Sequence, residues 1–156
     1  MTSEHPIGRL AAAGFELPAP PTALGAYVPA TRAGAFVFTS GQLPMRAGEL
    51  MAQGLVGSDV DTDVARACAE QCALNALAAA SSVCDLADVI RVVRLTGYVA
   101  SAPGFTAQPG VIDAASAVML SAFAEAGRHA REAVGVAALP LGAPVELSLV
   151  LELRIR

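Results

Sequence analysis

The run Val145-Glu146-Leu147-Ser148-Leu149-Val150-Leu151-Glu152-Leu153-Arg154-Ile155-Arg156 decides the fold class. Its odd-numbered positions are all aliphatic, and most of its even-numbered ones are polar or charged. A period of two sends successive side chains to opposite faces of a sheet, so one face of this strand is buried. The other face is mixed, suited to meeting a partner or lining a site.

Reading backwards, Ala130–Ala138 is a further strand, joined to the last by Leu139-Pro140-Leu141-Gly142-Ala143-Pro144. Val89–Ala100 is rich in β-branched residues and reads as a buried strand. A helix of about Val111–Ala126, stopped by Gly127, lies between these two strands. A long helix is expected over Val60–Val83, N-capped by Ser58 or Asp59. Asp59, Asp61 and Asp63 sit in or near its first turn, where acids favour the helix dipole. Gly48–Gly57 is a glycine-spaced loop with a short strand at Glu49–Ala52. Tyr27–Ala30 and Ala35–Thr39 flank Thr31-Arg32-Ala33-Gly34 and read as a hairpin. Residues 1–24 form an N-terminal extension: a short helix around Ile7–Gly14, then an extended strap at Leu17–Pro21, because each proline disfavours helix in the residue before it. The order β-β-α-β-α-β-β gives an α+β domain over residues 25–156, with two helices on one face of a mixed sheet.

Composition narrows the function. The chain has 156 residues and 15.7 kDa, enough for one domain. All ten basic residues are arginine. Without lysine, Schiff-base catalysis, a pyridoxal-phosphate anchor and a Walker A lysine are impossible. A net charge of −4 and 4% aromatics argue against a nucleic-acid partner. The mean hydropathy of +0.55 hints at a membrane. The longest charge-free apolar stretch near the C-terminus, Ala133–Val145, is however broken by Pro140, Pro144 and two glycines, and a spanning helix needs about 20 apolar residues. Glu4, His5 and Pro6 stand where a signal peptide would carry a basic start and an apolar run. A soluble cytoplasmic protein is expected. Alanine, at 34 positions, raises hydropathy without making a sticky surface. A charged content of 15%, against about 25% usually, also suits burial between subunits. Cys68, Cys72 and Cys84 form no CxxC, and with only His5 and His129 available no zinc pattern assembles. They read as small buried hydrophobes.

At this point the residues become recognisable. Gly25-Ala26-Tyr27, Thr39-Ser40-Gly41-Gln42-Leu43-Pro44, and Arg131 followed by Val136-Ala137-Ala138-Leu139-Pro140 and Val145-Glu146 resemble the RidA (YjgF) family, also catalogued as L-PSP endoribonucleases or translation inhibitors. The resemblance runs from about Gly25 to Ile155. A longer subgroup is most similar, marked by the N-terminal extension, by Gln108-Pro109 with Asp113-Ala114-Ala115-Ser116, and by Gly127-Arg128-His129-Ala130-Arg131.

What the resemblance implies is a chorismate-mutase-like fold and a homotrimer with sites in the clefts between subunits. The implied reaction hydrolyses enamines and imines such as 2-aminoacrylate to 2-keto acids, releasing ammonia, with no metal or organic cofactor. Arg131 would hold the substrate carboxylate; a guanidinium suits this because it is always charged and forks onto two oxygens. Glu146 would orient or help activate the attacking water. Tyr27, Ser40 and Gly41 would edge the pocket, with Glu152 a weaker candidate on the face of Glu146. Two positions depart from typical deaminase members. Ser116 falls near an asparagine of those members. Ala133 replaces a frequent cysteine, at a place where the family uses the backbone carbonyl. The Ser116 departure keeps a second reading open, a non-catalytic binder of small carboxylates or keto acids. A ribonuclease is a third, weakened by net acidity and by two histidines far apart. Arg128 and His129 read as cations at a helix end, or as an extension of anion binding to a larger acid, and His129 carries no catalytic assignment.

Overall fold

His5 opens the first helix. Its Nδ1 accepts from the Ile7 N–H at 3.3 Å, and α1 (Pro6–Ala12) follows with proline at its first position, where a missing N–H costs nothing. The computed structural model describes residues 5–22 and 25–155. Leu10 of α1 is fully buried in the main core. Gly14, at φ +85°, turns the chain out of the helix, and the following strap has no regular structure up to Thr22. Phe15 and Leu17 press it against the core.

The expected hairpin forms in a shifted frame. Its strands are β1 (Ala30–Ala33) and β2 (Phe36–Thr39), with a two-residue turn at Gly34-Ala35 in place of the four-residue connection Thr31–Gly34. Tyr27, Val28 and Pro29 stay outside the strand; Pro29 has no N–H for a ladder. Gly34 supplies the positive φ, +61°, that a tight turn needs. A small second hairpin, β3 (Met45–Arg46) with β4 (Glu49–Leu50), turns through Ala47 and Gly48, both at positive φ. Only its second strand was expected.

The long helix α2 spans Thr62–Ser81, inside the expected Val60–Val83. Its cap is Asp61, whose Oδ1 accepts from the Val64 N–H at 2.9 Å. Asp59 instead accepts from the Leu55 N–H at 2.9 Å and closes the preceding turn, which removes both expected caps from that role. Its buried side carries Cys68, Cys72, Leu74, Leu77 and several alanines. Burial pushes the Cys68 thiol up to about 11 and the Cys72 thiol well above its ordinary value, so both stay protonated and unreactive.

The strand β5 (Val89–Ala100) has the expected bounds. The helix α3 (Gln108–Phe123) starts earlier than expected, because Pro109 sits in its first turn and does not break it. A 3-10 turn, Ala124–Gly127, follows. The strand β6 (Ala130–Val136) ends two residues early, and β7 is Val145–Leu153. Ile155 lies beyond β7 and is 81% exposed, so the alternation overran the strand there. Arg156 is outside the described residues.

The five strands order as β1-β2-β7-β5-β6, antiparallel except for β5 with β6. The α3 crossover makes that parallel pairing possible. Both α2 and α3 cover one face of the sheet. Val37, Val92, Leu95, Val99, Leu147 and Leu151 are fully buried there, each worth roughly 1.5–3 kcal/mol of burial. Gly97 lets α3 approach closely, since a Cβ would stand 2.5 Å from Ile112 Cδ1. By composition α3 and the turn after it are long and apolar enough to cross a membrane, yet half of that stretch is buried inside the fold against α2 and the sheet. Among the described residues no helix covers the opposite sheet face, which carries Phe36, Phe38, Tyr98 and Val134, each at least a third exposed.

Candidate functional site

Strand register sorts the candidate residues into two groups. Glu146 pairs across with Tyr98, which pairs with Val134; all three point to the bare face. Arg131 pairs with Leu95, which pairs with Leu149; these point to the helix-covered face. Arg131 and Glu146 of one copy are therefore on opposite faces, two strands across and three residues along, roughly 14 Å between α-carbons.

The Glu146 group is built by a bulge. Phe38 pairs with Val150, yet Gln42 pairs with Leu147. The first segment thus holds one residue more than β7 across the same interval. Thr39 Oγ1 takes up the Leu149 N–H at 2.9 Å where the ladder is interrupted. The Gln42 and Leu147 backbones then exchange both their hydrogen bonds. Bulges re-aim side chains in this way. Here the bulge brings Gly41 against Glu146: a Cβ on Gly41 would lie 2.0 Å from Glu146 Oε1. The missing side chain makes room for the carboxylate. Burial raises the Glu146 carboxyl above its ordinary 4.5.

Ser40 donates its hydroxyl to the Val28 carbonyl at 2.7 Å, and its N–H bonds the Pro29 carbonyl at 2.8 Å, so its local work is to hold the segment before β1. Tyr27, 56% exposed, joins Gly41, Gln42, Met45 and Leu141 around a small cleft of about 150 Å³. The strap residues Pro21 and Thr22 complete its wall. Leu141 holds φ +58°, and its carbonyl accepts from Gln53 Nε2 at 2.9 Å. Glu152 is 3.9 Å from Arg91 at the far end of β7 and does not join either group.

The Arg131 group sits on the edge strand β6 and on α3. Arg131 Nη1 donates to Asp113 Oδ1 at 2.6 Å and to Ser116 Oγ at 3.3 Å. Both bonds use Nη1; among the described residues Nε and Nη2 have no protein acceptor. The side chain is 25% exposed, enough to receive a carboxylate across that remaining edge. Ser116 Oγ also lies 3.0 Å from His129 Nε2, and His129 Nδ1 lies 2.6 Å from the Gly127 carbonyl. Ala133 shares the Arg131 face, opposite Gly97. Arg128 is apart from this cluster and pairs with Glu125 at 2.9 Å in solvent.

Asp113 and the His129 contact were missed from the sequence, although signals for both exist. Asp113 and Ser116 are three apart on a helix and share a side. His129 and Arg131 are two apart in extended chain and share a face. Among the described residues no three of His, Cys, Asp and Glu converge as metal ligands.

A family model described as "YjgF/chorismate mutase-like, putative endoribonuclease" matches residues 7–153. The chain belongs to the YjgF family. A Trypanosoma cruzi relative, protein TCP17, is 40% identical over 152 residues, 94% of this chain and 95% of its own. An Agrobacterium tumefaciens protein of unknown function, solved as a crystal structure, is 44% identical with TM-score 0.88, covering 96% of this chain and 92% of that one. A Shewanella oneidensis protein with the same endoribonuclease description is 35% identical with TM-score 0.91, covering 96% and 99%. The YjgF match begins in α1, within the N-terminal extension. The mixed sheet with helices on one face is the fold of this family.

Proposed function

We propose that the protein hydrolyses small enamines and imines bearing a carboxylate to 2-keto acids and ammonia, at sites formed between copies of the chain in a homotrimer. The observation that carries this reading is the open Nε–Nη2 edge of Arg131, a two-pronged cation on an edge strand. The two groups cannot join within one copy, so a complete site takes Arg131, Ser116 and Ala133 from one copy and Tyr27, Ser40, Gly41 and Glu146 from its neighbour. The bare sheet face and the unpaired edge of β6 are the surfaces such an assembly buries.

In this site Arg131 anchors the carboxylate and fixes the imine carbon. Glu146, seated in the space left by Gly41, orients the attacking water. Water adds to the C=N carbon, the nitrogen gains protons, and ammonia leaves as the C=O forms. The chain's own groups suffice for these proton transfers. The family's endoribonuclease description is a weaker reading here: a net charge of −4 and no lysine offer little to a phosphate backbone.

The test couples the protein to a serine dehydratase, which supplies 2-aminoacrylate, and follows pyruvate formation. Acceleration in wild type that is lost in Arg131→Ala supports the reading. No acceleration over the uncatalysed rate, or full activity in Arg131→Ala, overturns it. The second reading, a carboxylate binder without turnover, draws on the existing Arg131–Asp113 pair, which competes with substrate. It expects pyruvate to raise the melting temperature of wild type and not of Arg131→Ala, with no imine turned over.

A further inference from the structure

Arg131, Ser116 and His129 form a hydrogen-bonded chain whose donor directions are set when the imidazole is neutral. A guanidinium only donates, so Ser116 Oγ accepts from Arg131 Nη1. The Gly127 carbonyl only accepts, so His129 Nδ1 carries a proton. The single hydroxyl proton of Ser116 then points to His129 Nε2, 3.0 Å away, which in the neutral ring is a lone pair. The imidazole is thereby held in one tautomer, with its basic nitrogen aimed at a hydroxyl beside the anchoring arginine. Gly127 fixes the partner carbonyl: a Cβ there would meet the Met119 carbonyl oxygen at 2.3 Å, so the turn after α3 is seated tightly.

From this geometry we propose that His129, acting through Ser116, is the base that takes the proton from the attacking water at the Arg131 site. The inference rests on the imine-hydrolase reading above and assigns it a residue on the same chain as the arginine. Glu146, contributed by the neighbouring copy, keeps the role of orienting the water, and His129 takes its proton. In the step, the water oxygen bonds to the imine carbon while its proton passes to Ser116 Oγ and the serine proton passes to His129 Nε2. The imine enters protonated, so the C=N electron pair neutralises its nitrogen and the carbinolamine carries a hydroxyl and an amine. The stored proton passes from His129 through Ser116 to that amine. As the C–N bond breaks and ammonia leaves, the hydroxyl gives its proton back along the same route while the C=O forms, and that proton is released to solvent. Water and imine are consumed; keto acid and ammonia are produced; no oxidant or further reactant is needed. Among the described residues, the charged groups beside the imidazole are Arg131 on β6 and Asp113 on α3, with the solvent-exposed Arg128–Glu125 pair in the preceding turn; Arg94 and Glu132, 3.8 Å apart, alternate to the opposite sheet face.

The test compares wild type with His129→Gln, Ser116→Ala and Ser116→Thr in the coupled 2-aminoacrylate assay, across the pH range in which histidine titrates. Glutamine keeps an acceptor for the Ser116 hydroxyl and cannot store a proton, so it separates a base from a structural link. His129→Gln is expected to lose kcat on the order of 10²-fold, with KM little changed because Arg131 is intact. Wild type is expected to lose rate at acid pH, and His129→Gln to lack that dependence. Ser116→Ala should fall similarly, and Ser116→Thr, which keeps the hydroxyl, should recover most of the rate. Pyruvate binding by calorimetry should match wild type in His129→Gln, which verifies that the fold and the anchor survive. A wild-type rate that His129→Gln retains with an unchanged pH profile overturns this proposal alone. A wild type without turnover overturns the hydrolase reading, and the base with it.

Discussion

Gly41 and Glu146 are the residues at which space and charge meet. An alanine at 41 would place its Cβ on the Glu146 carboxylate, the far end of a flexible side chain. Gly41→Ala is therefore expected to change folding stability by less than about 0.5 kcal/mol while displacing Glu146. Urea unfolding and coupled turnover separate these effects: near-native stability with a rate lower by ten- to about a hundredfold is the expected pair. The Glu146 carboxyl also gives a signed pH effect. Burial raises it above 4.5 in the folded state, so the folded protein holds this proton more tightly than the unfolded chain does. Its contribution favours folding at low pH and turns unfavourable as pH rises from about 4.5 through the raised value. Glu146→Gln should consequently melt higher than wild type at neutral pH, and the gap should close near pH 4. A gap that widens on acidification would contradict the burial of this group.

At the scale of elements, caps and close contacts carry the testable weight. Asp61→Ala removes the α2 cap and is expected to cost about 1 kcal/mol in urea unfolding, whereas Ser58→Ala should cost little, because Ser58 makes only a marginal 3.5 Å contact within its own turn. Gly127→Ala drives a methyl into the Met119 carbonyl, where backbone must yield, and is expected to cost about 1–3 kcal/mol by the same measurement. These positions also mark what the sequence could tell. β7 and β5 were legible because alternation and β-branching report burial directly. The α2 cap was not, since Ser58, Asp59 and Asp61 are equal in cap chemistry and only the Leu55 turn, which claims Asp59, selects among them. The start of α3 was lost because Pro109-Gly110 reads equally as a breaker and as a first turn. The site was half legible: motif order named Arg131 and Glu146, but their faces depend on inter-strand register, which no single segment encodes. The role of His129 is not legible in the sequence because Ser116 becomes its neighbour only when β6 docks beside α3, although the Gly127 carbonyl is local.

For the whole molecule, a site shared between copies makes a quantitative prediction. Arg131→Ala and Glu146→Gln should each be strongly impaired alone. In randomly mixed trimers, about one quarter of interfaces join an intact Arg131 to an intact Glu146, so co-expressed chains should recover up to that share of wild-type turnover. Recovery absent in verified mixed trimers would place both residues' work within one copy. Light scattering should give three times the 15.7 kDa chain mass for wild type.

The strand that comes last in chain order, β7, lies at the middle of the sheet, between β2 and β5. A nascent chain thus holds two unfinished halves, the β1–β2 hairpin and the β5-α3-β6 unit, with no ladder joining them until β7 has left the ribosome. Stability then arrives at once rather than strand by strand. A premature stop ahead of Val145 would not yield a trimmed protein but one chain with two unjoined apolar halves for quality control to remove.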